Sequence, residues 1–274
     1  MTDRYGKDTA PLQEKMLFLF DMDGTIYEDG VVFDGTLDML KMIREKGGKY
    51  IFITNNSSKS VEEYVKKVNA MGIAADRSNF FTSSQATVLY LNEHFPGKKV
   101  YCVGTASFRQ ELLSEQIILC EPDEAEVLLV GFDTELTYEK LNNAARLLST
   151  REIPYIATNP DLVCPVAYGF APDCGSICNM LETATGKQPT YIGKPKPTMV
   201  ELSMKANHRS KQETVVVGDR LYTDIASGVN AGVDTVCVLT GEATMEEIAT
   251  YEADRRPAFT LDNIRVMYEC CSGK

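Results

Sequence analysis

Two acids one residue apart are the first residues that could do chemistry. In Phe20-Asp21-Met22-Asp23-Gly24-Thr25 an apolar run leads straight into two carboxylates, then into Gly-Thr. Ligands of open α/β sheets bind just beyond the carboxyl ends of strands, and this string puts two acids there. One carboxylate could attack phosphorus as a nucleophile. The other could protonate a leaving group. The plainer reading is a strand ending in an acidic, solvated turn.

Three more strings follow the same logic. Ile53-Thr54-Asn55-Asn56-Ser57-Ser58 ends an apolar run in small polar donors, and a hydroxyl with an adjacent main-chain N–H can hold a phosphoryl oxygen. Taken alone, Thr-Asn-Asn-Ser is equally turn and N-cap chemistry. Ile192-Gly193-Lys194-Pro195-Lys196-Pro197 holds Lys194 between Gly and Pro just ahead of a helical pattern. A lone loop lysine is ordinarily solvated, but beside a charged oxygen it stabilises that charge. Val215 to Asp224 runs from a β-branched strand through Gly218 to Asp219, with Asp224 five positions on. Mg²⁺ takes hard oxygen ligands. Asp219 can be such a ligand, and Asp224 can hold a metal-bound water, orient Lys194, or merely cap a helix. Each plain reading is tolerable singly; all four together require the strands to converge on one pocket.

The elements that must position these residues can be read from periodicity. Met16–Phe20, Tyr50–Ile53, Thr214–Val217 and Thr235–Leu239 read as buried strands. Between them lie helical patterns from Asp34 to Gly47, from Ser60 to Gly72, from Pro197 through Met204, and over Asp224–Asn230. The alternation predicts an α/β protein with a parallel sheet. The middle of the chain has an alternation of its own: strands at Val100–Val103, Val127–Val130 and Tyr155–Ala157, helices near 84–94, 106–114, 137–150 and 175–185. Motif residues fall on both sides of it, so residues 82–191 read as an insertion into a core of 1–81 and 192–274.

Composition sets the limits. The 274 residues are 44% hydrophobic and 24% charged, enough to bury a core without staples. A net charge of -11, with no basic run longer than a pair, argues against a nucleic-acid partner and against an anionic membrane surface. No apolar run reaches the roughly 18 residues of a membrane span, and the polar first 15 residues lack a signal-peptide core. A cytoplasmic protein is expected, its 8 Cys as thiols and the sequons at Asn55 and Asn56 unused. With two His and no Cys cluster beside them, zinc is not expected, although Cys174 and Cys178 could share a helix face.

In order and spacing, DMDGTIY, ITNNSS, GKPKP and GDRLYTDI resemble the haloacid dehalogenase superfamily of phosphotransferases. They are most similar to its subgroup with a large α/β cap, the NagD-like and 4-nitrophenyl phosphatase-like proteins. The resemblance spans nearly the whole chain. It implies a doubly wound, Rossmann-like parallel-sheet core with an inserted α/β cap domain, and a Mg²⁺-dependent phosphatase acting on small phosphorylated metabolites. It further implies Asp21 as nucleophile and metal ligand, and Asp23 as general acid/base whose carbonyl reaches Mg²⁺. Thr54 and the Asn55 N–H, with Asn56 beside them, would hold the phosphate. Lys194 would neutralise nucleophile and phosphate, Asp219 would bind the metal, and Asp224 would support it, through water or directly. The cap loops Thr158–Asp161 and Asp173–Ser176 are candidates for choosing the leaving group, and a cap-to-cap homodimer is compatible with the subgroup. Phosphotransfer to a sugar, or a dormant phosphometabolite-binding protein, are the alternatives. Dehalogenation is disfavoured by the presence of Asp23.

Overall fold

The structure, a computed structural model, describes residues 1–166 and 168–273. The first apolar run becomes strand Leu17–Phe20, with all four residues out of water. It sits at the centre of a six-stranded sheet in the order Phe259–Leu261, Asp234–Val238, Thr214–Gly218, Leu17–Phe20, Lys49–Thr54, Phe80–Thr82. The first five pair in parallel. A parallel sheet is covered on both faces, which is why its strands read as unbroken hydrophobic runs rather than alternating ones. Helices Thr36–Glu45 and Ile264–Ser272 pack on each other, as do Thr198–Ala206 and Ala226–Ala231. Phe20 lies level with Val217 on one side and Phe52 on the other. The three parallel strands therefore finish close together, at the carboxyl end of the sheet.

The chain divides into two compact units. One comprises Met1–Thr54, Val65–Phe81 and Lys194–Lys274; the other comprises Asn55–Tyr64 and Thr82–Gly193. The 55–64 stretch, expected with the core, belongs to the second unit. Ser57 explains part of this: its hydroxyl pairs with that of Thr158 at 2.9 Å and accepts the Phe132 N–H at 2.9 Å. Two of the crossings fall at motif residues, leaving Thr54 as the last residue of one segment and Lys194 as the first of another.

The second unit carries its own five-stranded parallel sheet, in the order Thr190–Tyr191, Tyr155–Ala157, Val127–Val130, Lys99–Val103, Ile118–Leu119. Its helices are Ser83–His94, Ala106–Ser114, Tyr138–Thr150 and Cys174–Thr185. A core of Val130, Leu128, Ala144, Leu147, Ile177 and Leu181 lies between sheet and helices. An antiparallel hairpin, Val163–Val166 with Gly169–Pro172, was not foreseen. The fold is thus a Rossmann-like core with an additional α/β cap region. Among the described residues, no helix is long and apolar enough to cross a membrane.

Candidate active site

The centre of the site is one buried amine. Lys194 is 3% exposed. Its Nζ donates to Asp21 Oδ1 at 2.7 Å, to Asp224 Oδ1 at 2.5 Å and to the Ile53 carbonyl at 3.3 Å. These three atoms lie close to or beyond the ends of three different strands, so the lysine ties together residues distant in sequence. Burial alone would depress its pKa. The carboxylates of Asp21 and Asp224 outweigh that and hold it above the ordinary lysine value, so the group stays charged.

Each acid is fixed by its own backbone. Asp21 continues strand Leu17–Phe20, and its N–H still bonds the Val217 carbonyl at 2.8 Å. Asp219 follows strand Thr214–Gly218. It is 2% exposed, and its carboxylate accepts the Thr25 hydroxyl at 3.2 Å and the Glu242 N–H at 3.0 Å. Asp224 does not open an α-helix. A wide π turn, Leu221–Ile225, precedes the Ala226–Ala231 helix, replacing the helix expected over 224–230. Such turns recur at functional sites. Here the turn carries Asp224 back to Lys194, and Asp224 also accepts the Arg220 N–H at 3.3 Å.

Carboxylate oxygens of Asp21, Asp219 and Asp224 lie within 4.8 Å of one another. Burial, then the charge of Asp21, push Asp219 up to about 6. Burial likewise raises Asp224, against the pull of Lys194. Among the described residues, Lys194 is the one cation paired directly with these acids, and the Arg220 guanidinium is paired with Glu242 at 3.1 Å, so the cluster keeps unmet negative charge in low dielectric. Hard oxygen donors with unmet negative charge suit a small divalent cation, and these three residues could hold one.

Gly24 makes the close packing possible. Its φ of +82° is left-handed, and a Cβ there would come 2.6 Å from Asp219 Oδ2. Thr240 fastens the same turn by donating to the Gly24 carbonyl at 2.6 Å. The Thr240–Glu242 segment was missed in the sequence. It follows a strand as the named motifs do, but it works mainly through a main-chain N–H and so carries no acid or base to mark it.

The remaining candidates are placed as follows. Asp23 is in the same turn, its side chain 64% exposed, with Oδ2 accepting the Tyr27 hydroxyl at 3.1 Å and Oδ1 facing Lys67 Nζ at 3.4 Å. Lys67 was not singled out in the sequence. Thr54 ends its strand and is buried. The Asn55 side chain is engaged within the second unit, donating to both oxygens of Asp161 at 3.2 and 3.0 Å. Asn56 uses its side-chain oxygen in the turn, accepting the Ser58 N–H at 2.9 Å and hydroxyl at 2.7 Å. The two cap loops are joined: Asn159 donates to Asp173 at 3.2 Å, and the Gly175 N–H bonds the Asp161 carbonyl at 2.8 Å. Lys196 is exposed.

Comparison with known proteins finds relatives over most of the chain. A family profile for haloacid dehalogenase-like hydrolases matches residues 18–117, and a HAD-hydrolase-like profile matches residues 191–267. An acid sugar phosphatase of Staphylococcus saprophyticus is 35% identical over 232 residues, covering 84% of this chain and 89% of that protein. The crystal structure of a 4-nitrophenylphosphatase from Thermotoga maritima superposes with a TM-score of 0.90 at 34% identity, covering 95% of this chain and 99% of the other. NagD from E. coli K-12 superposes with a TM-score of 0.84 at 29% identity, covering 92% of this chain and 97% of the other.

Proposed function

The chain belongs to the haloacid dehalogenase-like hydrolases and is a phosphatase of phosphomonoesters, and from that premise we propose that it works through Asp21 as nucleophile with Mg²⁺ as its metal. The observation that carries the reading is the buried Lys194 amine bonded at once to Asp21 and Asp224. A carboxylate and a phosphate dianion repel each other, so attack needs fixed positive charge beside the nucleophile. Lys194 supplies part of it and also holds one Asp21 oxygen, which orients the other.

In the first half-reaction an Asp21 oxygen bonds phosphorus as the ester P–O bond breaks, and Asp23 gives its proton to the departing oxygen. In the second, water loses a proton to Asp23 and attacks the phosphoryl group, releasing Asp21 and inorganic phosphate. Asp23 suits both steps because it is the exposed acid of the turn. Thr54 and the following main-chain N–H would hold phosphoryl oxygens. Bound at Asp21 and Asp219, with Asp224 in support, Mg²⁺ would add the remaining positive charge against the phosphoryl group. The substrates are small phosphorylated metabolites, sugar phosphates among them, which the relatives named acid sugar phosphatase support.

Phosphate release from 4-nitrophenyl phosphate and from a panel of sugar phosphates tests this. Activity should require Mg²⁺, vanish in EDTA and return with added Mg²⁺. Asp21→Asn should lose on the order of 10³-fold or more in kcat. Full turnover in EDTA would overturn the metal, and full turnover by Asp21→Asn would overturn the nucleophile.

A further inference from the structure

The contacts around Asp23 point to a function for two residues outside the four motifs. Lys67 lies in helix Val61–Ala70. Its Nζ donates to the Tyr27 hydroxyl at 2.8 Å, stands 4.4 Å from the centre of the Tyr27 ring, and faces Asp23 Oδ1 at 3.4 Å. Tyr27 in turn donates to Asp23 Oδ2 at 3.1 Å. The three groups close a ring, and each carboxylate oxygen has its own donor.

We infer that Lys67 and Tyr27 are the positioning residues of Asp23, holding its carboxylate in the orientation from which it passes a proton to the leaving group. This rests on the reading of Asp23 as the acid. The backbone of the turn is already determined. The Gly24 N–H bonds the Tyr27 carbonyl at 2.9 Å, and the Met22 carbonyl accepts N–H groups from Thr25 and Ile26 at 3.2 and 3.0 Å. What the turn leaves open is the Asp23 side-chain rotamer, because that side chain is mostly in water. A mobile acid spends little time at the leaving oxygen, and misplacement of a catalytic group by an ångström can cost 10²-fold. Fold stability does not explain the arrangement. Lys67 and Asp23 are 38% and 64% exposed, and pairs that open to solvent contribute little to stability. The amine is instead restrained by the ring beneath it. Tyr27, whose residue is fully buried, supplies a rigid base for the cluster.

The leaving group separates positioning from mere support. 4-Nitrophenolate departs as the anion and gains little from an acid, whereas an alkoxide must be protonated as it leaves. Steady-state kcat/KM, which reports the half-reaction in which the leaving group departs and not the common hydrolysis of the phosphorylated Asp21, is therefore measured on 4-nitrophenyl phosphate and on an alkyl phosphate such as glycerol phosphate, for wild type, Lys67→Met, Lys67→Arg, Tyr27→Phe and Asp23→Asn. The loss in Lys67→Met should be about tenfold larger on the alkyl ester than on the aryl ester. Tyr27→Phe should show the same skew, Lys67→Arg should recover part of it, and the melting temperature of Lys67→Met should stay near that of wild type. Equal losses on the two esters, or no loss, in Lys67→Met would overturn the inference while Asp23→Asn remains skewed. Absence of skew in Asp23→Asn would overturn the acid assignment, and this inference with it.

Discussion

A single methyl group tests how tightly the site is built. Gly24 holds a left-handed φ of +82° that costs other residues strain, and its missing side chain leaves room for the Asp219 carboxylate. Gly24→Ala adds a carbon 2.6 Å from Asp219 Oδ2, and real contacts of that kind must open. The atom that must move belongs to a candidate metal ligand, so the damage falls on chemistry before it falls on folding. Gly24→Ala should lower kcat by about 10²-fold and raise the Mg²⁺ concentration needed for half-maximal activity. Circular dichroism should remain that of the wild type. Unchanged Mg²⁺ dependence would show that the turn and Asp219 adjust around the methyl group. Lys194 makes a matching case. Removing a buried cation that serves two carboxylates leaves uncompensated charge, which typically costs about 3–5 kcal/mol. Lys194→Met should therefore lose stability to urea as well as activity, and a variant as stable as wild type would contradict the buried ion pairs seen here.

At the scale of elements, the cap loops are held by helix caps and cross-links. Asp173 precedes helix Cys174–Thr185, its carboxylate accepts the Cys174 N–H, and Asn159 donates to it from the other loop. Asp173→Ala removes the helix cap and leaves the buried Asn159 amide without that acceptor. The expected cost is about 1–2 kcal/mol, read as a lower urea midpoint with an unchanged slope. A loss no larger than that of an exposed surface substitution would rule out the cap. The same elements mark what a sequence can and cannot disclose. Helix 106–114 and strand Val127–Val130 were legible to the residue, because their buried faces impose a period of 3.6 or a continuous apolar run. The Val163–Val166 and Gly169–Pro172 hairpin was not, since Val163, Val166 and Phe170 are exposed and no buried face imposes alternation. The acids and Lys194 were legible because their chemistry needs particular side chains. The Glu242 N–H was not, because any residue but proline offers one. Lys67 looks in sequence like any solvated residue on a helix surface. Asp224 was legible as a participant but not in its setting, because a π turn and an α-helix begin with the same composition.

Over the whole molecule, the cysteines connect packing to pH. All eight are thiols. Six are buried, and Cys120 and Cys164 are partly accessible. Burial pushes Cys102, Cys237 and Cys271 up to about 12 from an ordinary value of 9.0. These groups titrate at lower pH in the unfolded chain than in the folded one. The neutral thiols therefore contribute their full stability below pH 9, and that contribution is lost as pH rises from about 9 towards 12. Each unit of pH in that window costs about 1.4 kcal/mol per thiol. Between pH 8 and pH 10 the three together should lower the unfolding free energy by about 4 kcal/mol. The urea midpoint should fall accordingly, and the fall should shrink by about a third in Cys237→Val, whose side chain is buried and of similar size. At neutral pH an alkylating reagent should modify Cys120 and Cys164 well before the other six, which should react together only on unfolding. A pH-independent midpoint, or fast native labelling of Cys102, would mean that these thiols meet solvent and that the sheets burying Cys102 and Cys237 open far more readily than their packing implies.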